Sequence, residues 1–400
     1  MKIGLTIRTF NPASGGLQAH AQMLLQGLRA RGHEVRVATR ALEQSQKWAD
    51  YYRISEPPGS RTVDGIPVSI ISGCTGANEL LWLAGKCVVR PRLHFVAERL
   101  AKTVFAGAIC EQFRDMDIIH HVGQAHELIG FGAAVAARRM NVPFLVQPTF
   151  HPGQWGDSAF DLRLYAKARQ LMAYTHYEKN ALSSLGLKQR CVVVGTGIPD
   201  CTTGNASRFR ERYGISGQIV LFLGRKSIDK GFPLLTTAFS DIAKSNPDAT
   251  LVVMGPPGGA GVDDPSLVLD LGFTTFEEKH DALAACDFLC VPSEGESFGL
   301  VYMEAARYAK PSVARNLPVL RELLGKHDAI VLAGDGDSSL NQVSLNAEEL
   351  ASCIKRLLDN PTDARRIGEN AKKASEAFLW PNVIQKFESA YEAAIEQQRC

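Results

Sequence analysis

The sequence lacks any long apolar run. Its composition, 45% hydrophobic and 22% charged, is that of an ordinary globular protein. No uninterrupted apolar segment approaches the ~18 residues of a membrane-spanning helix. The first ten residues, MKIGLTIRTF, do not contain the apolar core of a secretory signal. Short repeats and low-complexity segments are absent as well.

The cysteines form neither pairs nor clusters. There are nine of them, an odd number, and they are scattered along the chain. The closest two, Cys286 and Cys290, have no neighbours with metal-ligand spacing. We therefore expect no disulfide framework and no zinc site, and we predict reduced thiols in a cytoplasmic protein.

The length and the periodicity predict two domains. The 400 residues exceed the ~250–300 at which a single hydrophobic core stops growing. Short β-branched runs alternate with helical stretches from KIGLTI onward, and the alternation restarts at QIVLFLG. This pattern predicts an α/β protein with two Rossmann-like, doubly wound domains. The Gly/Pro/Thr-rich stretch VVVGTGIPDCTTGN separates them, giving residues 1–198 and 199–380, and a last helix begins at Pro381.

Charge is unevenly distributed between the two halves. Residues 1–200 contain 23 Lys and Arg against 15 Asp and Glu, whereas the remainder contains 21 against 27. Such an asymmetry suggests different partners for the two halves. The segment KCVVRPRLHFVAERLAK places five cations among apolar residues, namely Lys86, Arg90, Arg92, Arg99 and Lys102. Two interpretations of this segment stay open, a solvated helix face and a contact with an anionic membrane surface or a phosphate-bearing acceptor. We predict no nucleic-acid partner.

A first candidate site lies in LFLGRKSIDKGF. A buried strand ends at Gly224, and Arg225 and Lys230 then frame a short loop before the next helix. Cations at the carboxyl end of a strand and beside a helix start suit a diphosphate, which Arg binds with a planar fork and Lys as a point charge. The alternative is a pair of surface cations in an exposed loop.

A second candidate site lies in SEGESFGLVYMEAA. We expect its helix to begin around Ser297–Gly299, so the amides of the first turn would form a phosphate cradle. The carboxylates of Glu296 and Glu304 would flank that cradle and accept hydrogen bonds from hydroxyl groups. A diphosphate between two hydroxyl-rich rings satisfies both sets of groups, which indicates a nucleotide sugar. The cradle amides belong to Phe298, Gly299, Leu300 and Val301.

In this combination of motifs, the second half resembles the donor domain of retaining glycosyltransferases with the GT-B fold, specifically glycosyltransferase family 4. The resemblance spans nearly the whole chain. Three family motifs are matched: the glycine-rich first loop by Gly15 and Gly16, the Gly-Arg and Lys-Gly pattern by Gly224, Arg225, Lys230 and Gly231, and the paired glutamates by Glu296 and Glu304.

The resemblance implies a hexosyltransferase-type enzyme with two domains facing across a cleft. It would move a sugar from a UDP- or GDP-linked donor to an acceptor hydroxyl with retention of configuration. The acceptor would bind the first domain and would be a saccharide, a lipid-linked molecule or a small metabolite. In the family, the last helix, here residues 381–400, completes this first domain. The second domain would bind the donor. Cations and amides on the leaving phosphate lower the need for a metal, so we expect none.

The resemblance also assigns roles to the charged residues. Arg225 and Lys230 would hold the diphosphate and assist its departure. Glu304 would hold the ribose hydroxyls, and Glu296 would hold the hydroxyls of the donor sugar or lie near its anomeric centre.

Other roles rest on glycines and on one aromatic residue. Gly16 would let the backbone approach the phosphate or the acceptor. Gly272 and Phe273, at the end of VLDLGF, would lie near the base. The family's glycine-rich donor loop is replaced here by VARNLPVLREL, with Arg315 and Glu322, which affects the contacts to the donor sugar.

The histidine loop departs from the family pattern. Relatives often carry a catalytic-site histidine where this chain has Val122. The candidates that remain are His120, His121 and His126, of which His126 is the best placed to face the cleft. His151 is a further option.

Three alternative functions remain at this stage. They are a protein that binds nucleotide sugars without turnover, a GT-B sugar phosphorylase, and a nucleotide-sugar epimerase. A dinucleotide-dependent oxidoreductase is disfavoured, because GPPGGAG at 255–261 lacks the required spacing. We interpret the two Asp-x-Asp triplets, at 115–117 and 335–337, as structural and predict no metal site.

Overall fold

The computed structural model describes residues 1–10, 16–42, 51–53, 56–71, 75–187, 191–200, 202–261, 265–335 and 343–399. The chain divides into two compact units. Unit 1 comprises residues 1–197 and 380–400, and unit 2 comprises residues 198–379. These limits differ by one residue from the boundaries predicted from the sequence.

Unit 1 alternates strands and helices from its first residues. Its elements up to residue 193 are β1 (Lys2–Thr9), α1 (Gly16–Ala30), β2 (Glu34–Ala41), β3 (Gly59–Val63), β4 (Ile66–Ile70), α2 (Ala77–Val88), α3 (His94–Gln112), β5 (Ile118–Val122), α4 (Ile129–Met140), β6 (Phe144–Gln147), α5 (Ala159–Tyr165), β7 (Gln170–Ala173), α6 (His176–Leu182) and β8 (Cys191–Val193).

The sheet of unit 1 is parallel except at one edge. Its strand order over the described residues is β3-β4-β2-β1-β5-β6-β7-β8, and only β3 and β4 pair antiparallel. The central strand β1 is buried on both faces, since Leu5 on one face and Thr6 on the other have no exposed surface. Continuous apolar strands of this kind are typical of parallel sheets covered by helices on both sides.

Unit 2 repeats the alternation. Its elements are α7 (Ala206–Tyr213), β9 (Ile219–Leu223), α8 (Phe232–Ser245), β10 (Thr250–Met254), β11 (Val268–Gly272), α9 (Phe276–Ala285), β12 (Phe288–Cys290), α10 (Leu300–Arg307), β13 (Ser312–Arg315), α11 (Pro318–Leu323), β14 (Val331–Ala333), α12 (Ala347–Asp359) and α13 (Pro361–Ser375).

The sheet of unit 2 has the doubly wound strand order. Its strands run β11-β10-β9-β12-β13-β14 and pair in parallel. The order reverses direction between β9 and β12. In open α/β sheets, the ligand crevice lies outside the carboxyl ends of the strands at this switch point. The predicted α/β, doubly wound class is confirmed, and the fold directs attention to the loops after β9 and β12.

The last helix, α14 (Trp380–Arg399), packs on unit 1. Its buried side chains, including Phe387 and Tyr391, join the core formed by β1 and α1. The helices approach closely, since a Cβ on Gly27 of α1 would lie 2.6 Å from Ile384. Residues 380–399 therefore complete a core that begins with residue 3.

The described cysteines carry free thiols. They are Cys87, Cys110, Cys191, Cys286, Cys290 and Cys353. Burial raises the pKa of the Cys286 thiol to about 12. In the part of the chain that the structure describes, no helix combines the length and apolarity needed to cross a bilayer.

Candidate functional site

The two loops at the switch point of unit 2 lie side by side. The loop after β9 runs from Gly224 to a 3₁₀ helix, Ile228–Lys230, and then to Gly231 at the start of α8. The loop after β12 leads to α10. Because β9 and β12 are paired strands, with Leu221 opposite Leu289, their following loops meet at the same edge of the sheet.

Backbone contacts lock these two loops together. The amide of Glu294 donates to the carbonyl of Asp229 at 2.9 Å. Gly231 has a φ of +68°, and a Cβ built on it would lie 2.3 Å from the carbonyl oxygen of Pro292. Only glycine suits this position, because it tolerates a left-handed backbone and the close approach of another chain segment.

The structure joins two residues that the sequence analysis assigned to different parts of the ligand. The Lys230 ammonium lies 2.7 Å from Oε1 of Glu296, and their side chains are 26% and 11% exposed. The exposed Arg225 guanidinium pairs with Asp229 at 3.2 Å. Each predicted phosphate-binding cation therefore has a carboxylate partner, and neither pairing was foreseen.

The helix after the second loop begins later than predicted. Gly299, with a φ of +81°, is the residue before the helix, and α10 starts at Leu300. Ser297 and Phe298 precede it, and the buried Phe298 packs against Phe378. A Cβ on Gly299 would lie 2.6 Å from the Tyr302 ring. Position 299 therefore requires glycine, whose left-handed conformation precedes the first helical residue.

The helix start still provides an anion-binding end. The first N–H groups of an α-helix have no intrahelical partners and carry a partial positive charge. In α10 these groups belong to Leu300 and Val301, with Gly299 just before them. Of the four predicted cradle residues, Phe298 and Gly299 precede the helix, and Gly299 is its N-cap.

Glu304, in the second turn of α10, also has a lysine partner. Its Oε1 is 2.8 Å from Nζ of Lys279 in α9. Lys279 was missed by the sequence analysis, because nothing in FEEKHDALAA marks one lysine for a partner 25 residues away. The pair ties α10 to the helix that follows β11.

The residues predicted to lie near the base end the edge strand. Gly272, the last residue of β11, has a φ of +62°, and its carbonyl accepts from the amide of Gly255. Phe273 is exposed, and so is Phe276 in α9. Strand β11 is separated from β9 by β10. These two aromatic residues therefore follow a strand that lies two positions away from the switch point in the sheet.

Arg315, in the segment that replaces the family's donor loop, is a packing residue. It is buried in β13 and donates to the carbonyl of Val343 at 2.6 Å. Burial lowers the pKa of its guanidinium, and the nearby Glu294 opposes this shift.

Two of the candidate histidines lie inside the sheet of unit 1. His120 is hydrogen-bonded to the Tyr391 hydroxyl at 2.9 Å, and burial holds its pKa well below the usual value. His121 is hydrogen-bonded to Thr6 Oγ1 at 3.1 Å, and burial lowers its pKa to about 4. Neither ring has exposed surface, so neither suits contact with a ligand.

His126 lies beyond the end of β5, in a 3₁₀ helix over Ala125–Glu127. Its ring is partly exposed and stacks on Tyr51, with centroids 5.6 Å apart. Burial lowers its pKa, Asp161 opposes that shift and Arg8 adds to it. The next position but one, Leu128, has a φ of +70°, a conformation that costs about 1–3 kcal/mol and is concentrated at functional sites.

A group of charged residues near His126 was missed. Glu127 is buried, and burial raises its pKa to about 7. The Arg40 guanidinium donates to the Glu127 carbonyl, and Arg8 lies over the Tyr51 ring at 3.6 Å. Both arginines occupy the penultimate position of a parallel strand, β1 or β2. An arginine at the penultimate position of two successive predicted strands is the sequence signal for this group.

Three further predicted positions, Gly15, Gly16 and His151, belong to unit 1. Gly16 is the first residue of α1, and Gly15 lies outside the described residues. His151 packs against Trp155, with ring centroids 3.9 Å apart.

The Asp-x-Asp triplets do not assemble a metal site in the described part of the chain. Asp115 forms ion pairs with Lys2 and Arg36, and Asp117 accepts from the amide of Lys2. Asp335 pairs with Ser344 in an isolated bridge, and residues 336–337 lie outside the described residues. No cluster of three His, Cys, Asp or Glu suited to a metal occurs among the residues described.

Two family models match the chain. The model for a "Glycosyl transferase 4-like domain" covers residues 15–197. The model for "Glycosyl transferases group 1" covers residues 206–374. Between them they account for most of both units.

Known proteins show the same similarity over nearly the full length. The chain is 25% identical to the D-inositol 3-phosphate glycosyltransferase of Kineococcus radiotolerans, over 96% of this chain and 92% of that protein. It is 28% identical to the protein of the same name from Frankia alni, over 92% and 91%. Among solved structures, Anabaena HepE in complex with UDP-glucose matches 98% of this chain and 100% of its own, with 18% identity and a TM-score of 0.72. That likeness shows a common fold.

Proposed function

Because the chain belongs to the glycosyltransferases of family 4 and has the GT-B fold, we propose that it transfers a sugar from a nucleoside-diphosphate sugar to an acceptor hydroxyl, with retention of anomeric configuration. It is an enzyme of the hexosyltransferase type. The observation that carries the proposal is the Lys230–Glu296 pair beside the start of α10, at the switch point of unit 2.

The diphosphate binds where the two loops of unit 2 meet. Its negative charge competes with Glu296 for the Lys230 ammonium and with Asp229 for the exposed Arg225. The amides at the start of α10 supply further donors. As the bond to the sugar breaks, charge grows on the leaving phosphate, and each preorganised donor that stabilises this charge contributes about 2.7–4 kcal/mol.

The two glutamates act on opposite sides of the diphosphate. Glu296, drawn away from Lys230, accepts from the hydroxyls of the transferred sugar. Glu304, oriented by its ion pair with Lys279, accepts from the ribose hydroxyls. Phe273 and Phe276 expose aromatic surface at the edge of the sheet and offer the base an apolar contact.

Unit 1 receives the acceptor in this proposal. Of the candidate histidines, His126 is retained because its ring is partly exposed, and His120 is left out because it is buried in the core. The donor is a UDP-sugar, with a GDP-sugar as the second choice. Support for UDP comes from the similarity to a protein solved with UDP-glucose.

The acceptor class is proposed from the relatives. Curated relatives over nearly the full length carry the name D-inositol 3-phosphate glycosyltransferase, which favours a polyol phosphate among the small-metabolite acceptors. A saccharide or a lipid-linked acceptor is the alternative. The proposal requires no metal, since cations and amides hold the diphosphate, so activity should survive an excess of EDTA.

Calorimetry and product analysis test this function. Titration with UDP, GDP and ADP should give saturable binding for one of them. Incubation with the corresponding sugar nucleotide and a polyol phosphate should form a glycoside whose anomeric configuration, read by proton NMR, matches that of the donor. An inverted product, or no binding by any nucleotide, would contradict the proposal.

A further inference from the structure

Unit 1 exposes an unusual set of large apolar side chains within one short segment. They are Trp82, Leu83, Val89 and Phe95, with 49%, 43%, 76% and 61% of their surface exposed. We call these four residues the apolar face. Trp82 and Leu83 lie on α2, Val89 follows its last residue, and Phe95 lies on α3.

The opposite side of α2 already has its packing partners. Leu81, Ala84 and Cys87 are buried in the core of unit 1, and a Cβ on Gly85 would lie 2.4 Å from the Tyr52 ring. Helix α2 is therefore apolar on both sides. A soluble protein rarely places large apolar residues together on an outward face unless they bind something.

Four cations lie in the same segment as the apolar face, between positions 86 and 99. Lys86, Arg90, Arg92 and Arg99 are exposed, and none of them forms an ion pair with an acid among the residues described. Lys86 lies over the Trp82 ring at 3.5 Å. Residues 80–97 contain no Asp or Glu at all.

The acid that follows this segment is already neutralised. Glu98 is buried and bound by Lys102, Arg163 and Lys167. These contacts lower its pKa to about 2 against the opposing effect of burial. Between positions 80 and 99 the outward charge is therefore positive, and an exposed acid, Glu79 in the first turn of α2, precedes this stretch.

We propose that the apolar face and its cations dock unit 1 on an anionic lipid surface. Trp and Phe side chains insert at the boundary between headgroups and acyl chains, and Lys and Arg bind the anionic headgroups around them. The contact is peripheral. It extends the proposed function but does not depend on it, because it involves none of the loops of unit 2.

The charge argues against a second copy of the chain as the occupant. A twofold contact through this face would set its cations against the same cations of the partner, because such an interface is self-complementary. Like charges held opposite each other are unfavourable, whereas an anionic membrane complements them.

Vesicle binding tests the proposal. The full-length protein should co-sediment with vesicles of phosphatidylcholine and phosphatidylglycerol. With vesicles of phosphatidylcholine alone, the protein should remain in the supernatant. Salt should weaken the binding, since the Debye length falls from about 10 Å at 0.1 M to about 3 Å at 1 M. The double variant Arg90→Glu/Arg92→Glu should lower the partition coefficient at least about thirtyfold, from the contribution of two cations.

A conservative change locates the inserted residue. Lipids brominated in their acyl chains should quench the fluorescence of the wild-type protein. Trp82→Phe keeps an aromatic ring, so it should bind the vesicles while losing most of the quenching. The double variant Trp82→Ser/Phe95→Ser should lose binding as well.

Matched controls carry the same changes elsewhere. Lys372→Glu/Lys373→Glu reverses two exposed charges in unit 2, and Leu185→Ser removes an exposed apolar side chain of unit 1. Both should bind as the wild type does, and all variants should keep its circular dichroism and its nucleotide affinity. Equal binding to neutral and anionic vesicles, or undiminished binding by the charge-reversed face, overturns the proposal. So does light scattering that shows a dimer abolished by Trp82→Ser/Phe95→Ser, because the face then belongs to a second copy.

Discussion

Replacing Glu296 with glutamine should tighten the binding of a nucleoside diphosphate and slow sugar transfer at the same time. In the structure, Glu296 holds the Lys230 ammonium at 2.7 Å, and both side chains are largely shielded from water. A diphosphate that needs this ammonium must displace the carboxylate. Glutamine keeps the size of the side chain and an acceptor oxygen, but it removes the competing charge.

The magnitude follows from the strength of the pair. A hydrogen bond between charged groups contributes about 1.5–3 kcal/mol. If the diphosphate recovers half of this in the variant, its dissociation constant falls about three- to tenfold, since 1.4 kcal/mol corresponds to a factor of ten. Transfer should slow, because the amide no longer supplies a carboxylate to the hydroxyls of the donor sugar.

Calorimetry with UDP and a coupled assay of UDP release measure the two effects separately. Lys230→Ala serves as the opposite case, with weaker binding and a loss of about 10²–10³ in kcat. Glu294→Gln, an exposed acid two positions earlier, should change neither quantity by more than about twofold. If Glu296→Gln weakens UDP binding as much as Lys230→Ala does, the carboxylate does not compete with phosphate, and the reasoning fails.

Three further predictions concern other parts of the chain. Gly231→Ala adds a Cβ 2.3 Å from the Pro292 carbonyl at a φ of +68°, so it should lower the melting temperature and weaken UDP binding, whereas Gly214→Ala, which has a similar φ and open space, should affect stability only. Glu304→Gln should weaken UDP binding about tenfold and leave inorganic pyrophosphate binding unchanged, and an equal loss for both ligands would remove Glu304 from the ribose. Burial raises the pKa of Glu127 to about 7, so the folded state holds a proton that the unfolded state releases near pH 4.5, and this contribution to stability is lost as the pH rises towards 7. Chemical denaturation should therefore show Glu127→Gln gaining on the wild type by up to about 3 kcal/mol between pH 5 and pH 8, and a pH-independent difference would contradict the raised pKa.

Much of unit 2 could be predicted because its signals are local. Alternating apolar strands and charged, glycine-containing loops indicate a doubly wound sheet, and the strand order then brings the loops after β9 and β12 together. The ion pairs could not be predicted in the same way. Lys230 and Glu296 are 66 positions apart, and Lys279 meets Glu304 only because α9 and α10 pack side by side.

Some features were missed although the sequence carried a signal. The β3–β4 hairpin turns at Asp64 and Gly65, both with positive φ, and an Asp-Gly pair is a strong indication of such a turn. Other features had no such signal. The helix start at Leu300 depends on the left-handed Gly299, and the need for glycine there comes from the Tyr302 ring, which would lie 2.6 Å from an added Cβ. The environment of His120 includes the hydroxyl of Tyr391 in α14. That tyrosine is 271 positions later in the sequence, so no local pattern reveals the contact.

The way the chain is divided has a consequence for its synthesis. The ends of unit 2 meet, because the amide of Ile198 donates to the carbonyl of Phe378 at 2.8 Å. Unit 2 is thus a closed insertion within unit 1, and it can fold on the ribosome as soon as residue 379 has emerged. Unit 1 has to wait for α14, whose Phe387 and Tyr391 fill its core. Unit 1 is therefore translated first but completes its fold last. Until α14 has been synthesised, the incomplete core of unit 1 exposes apolar surface, and this part of the nascent chain has the greatest need of a chaperone.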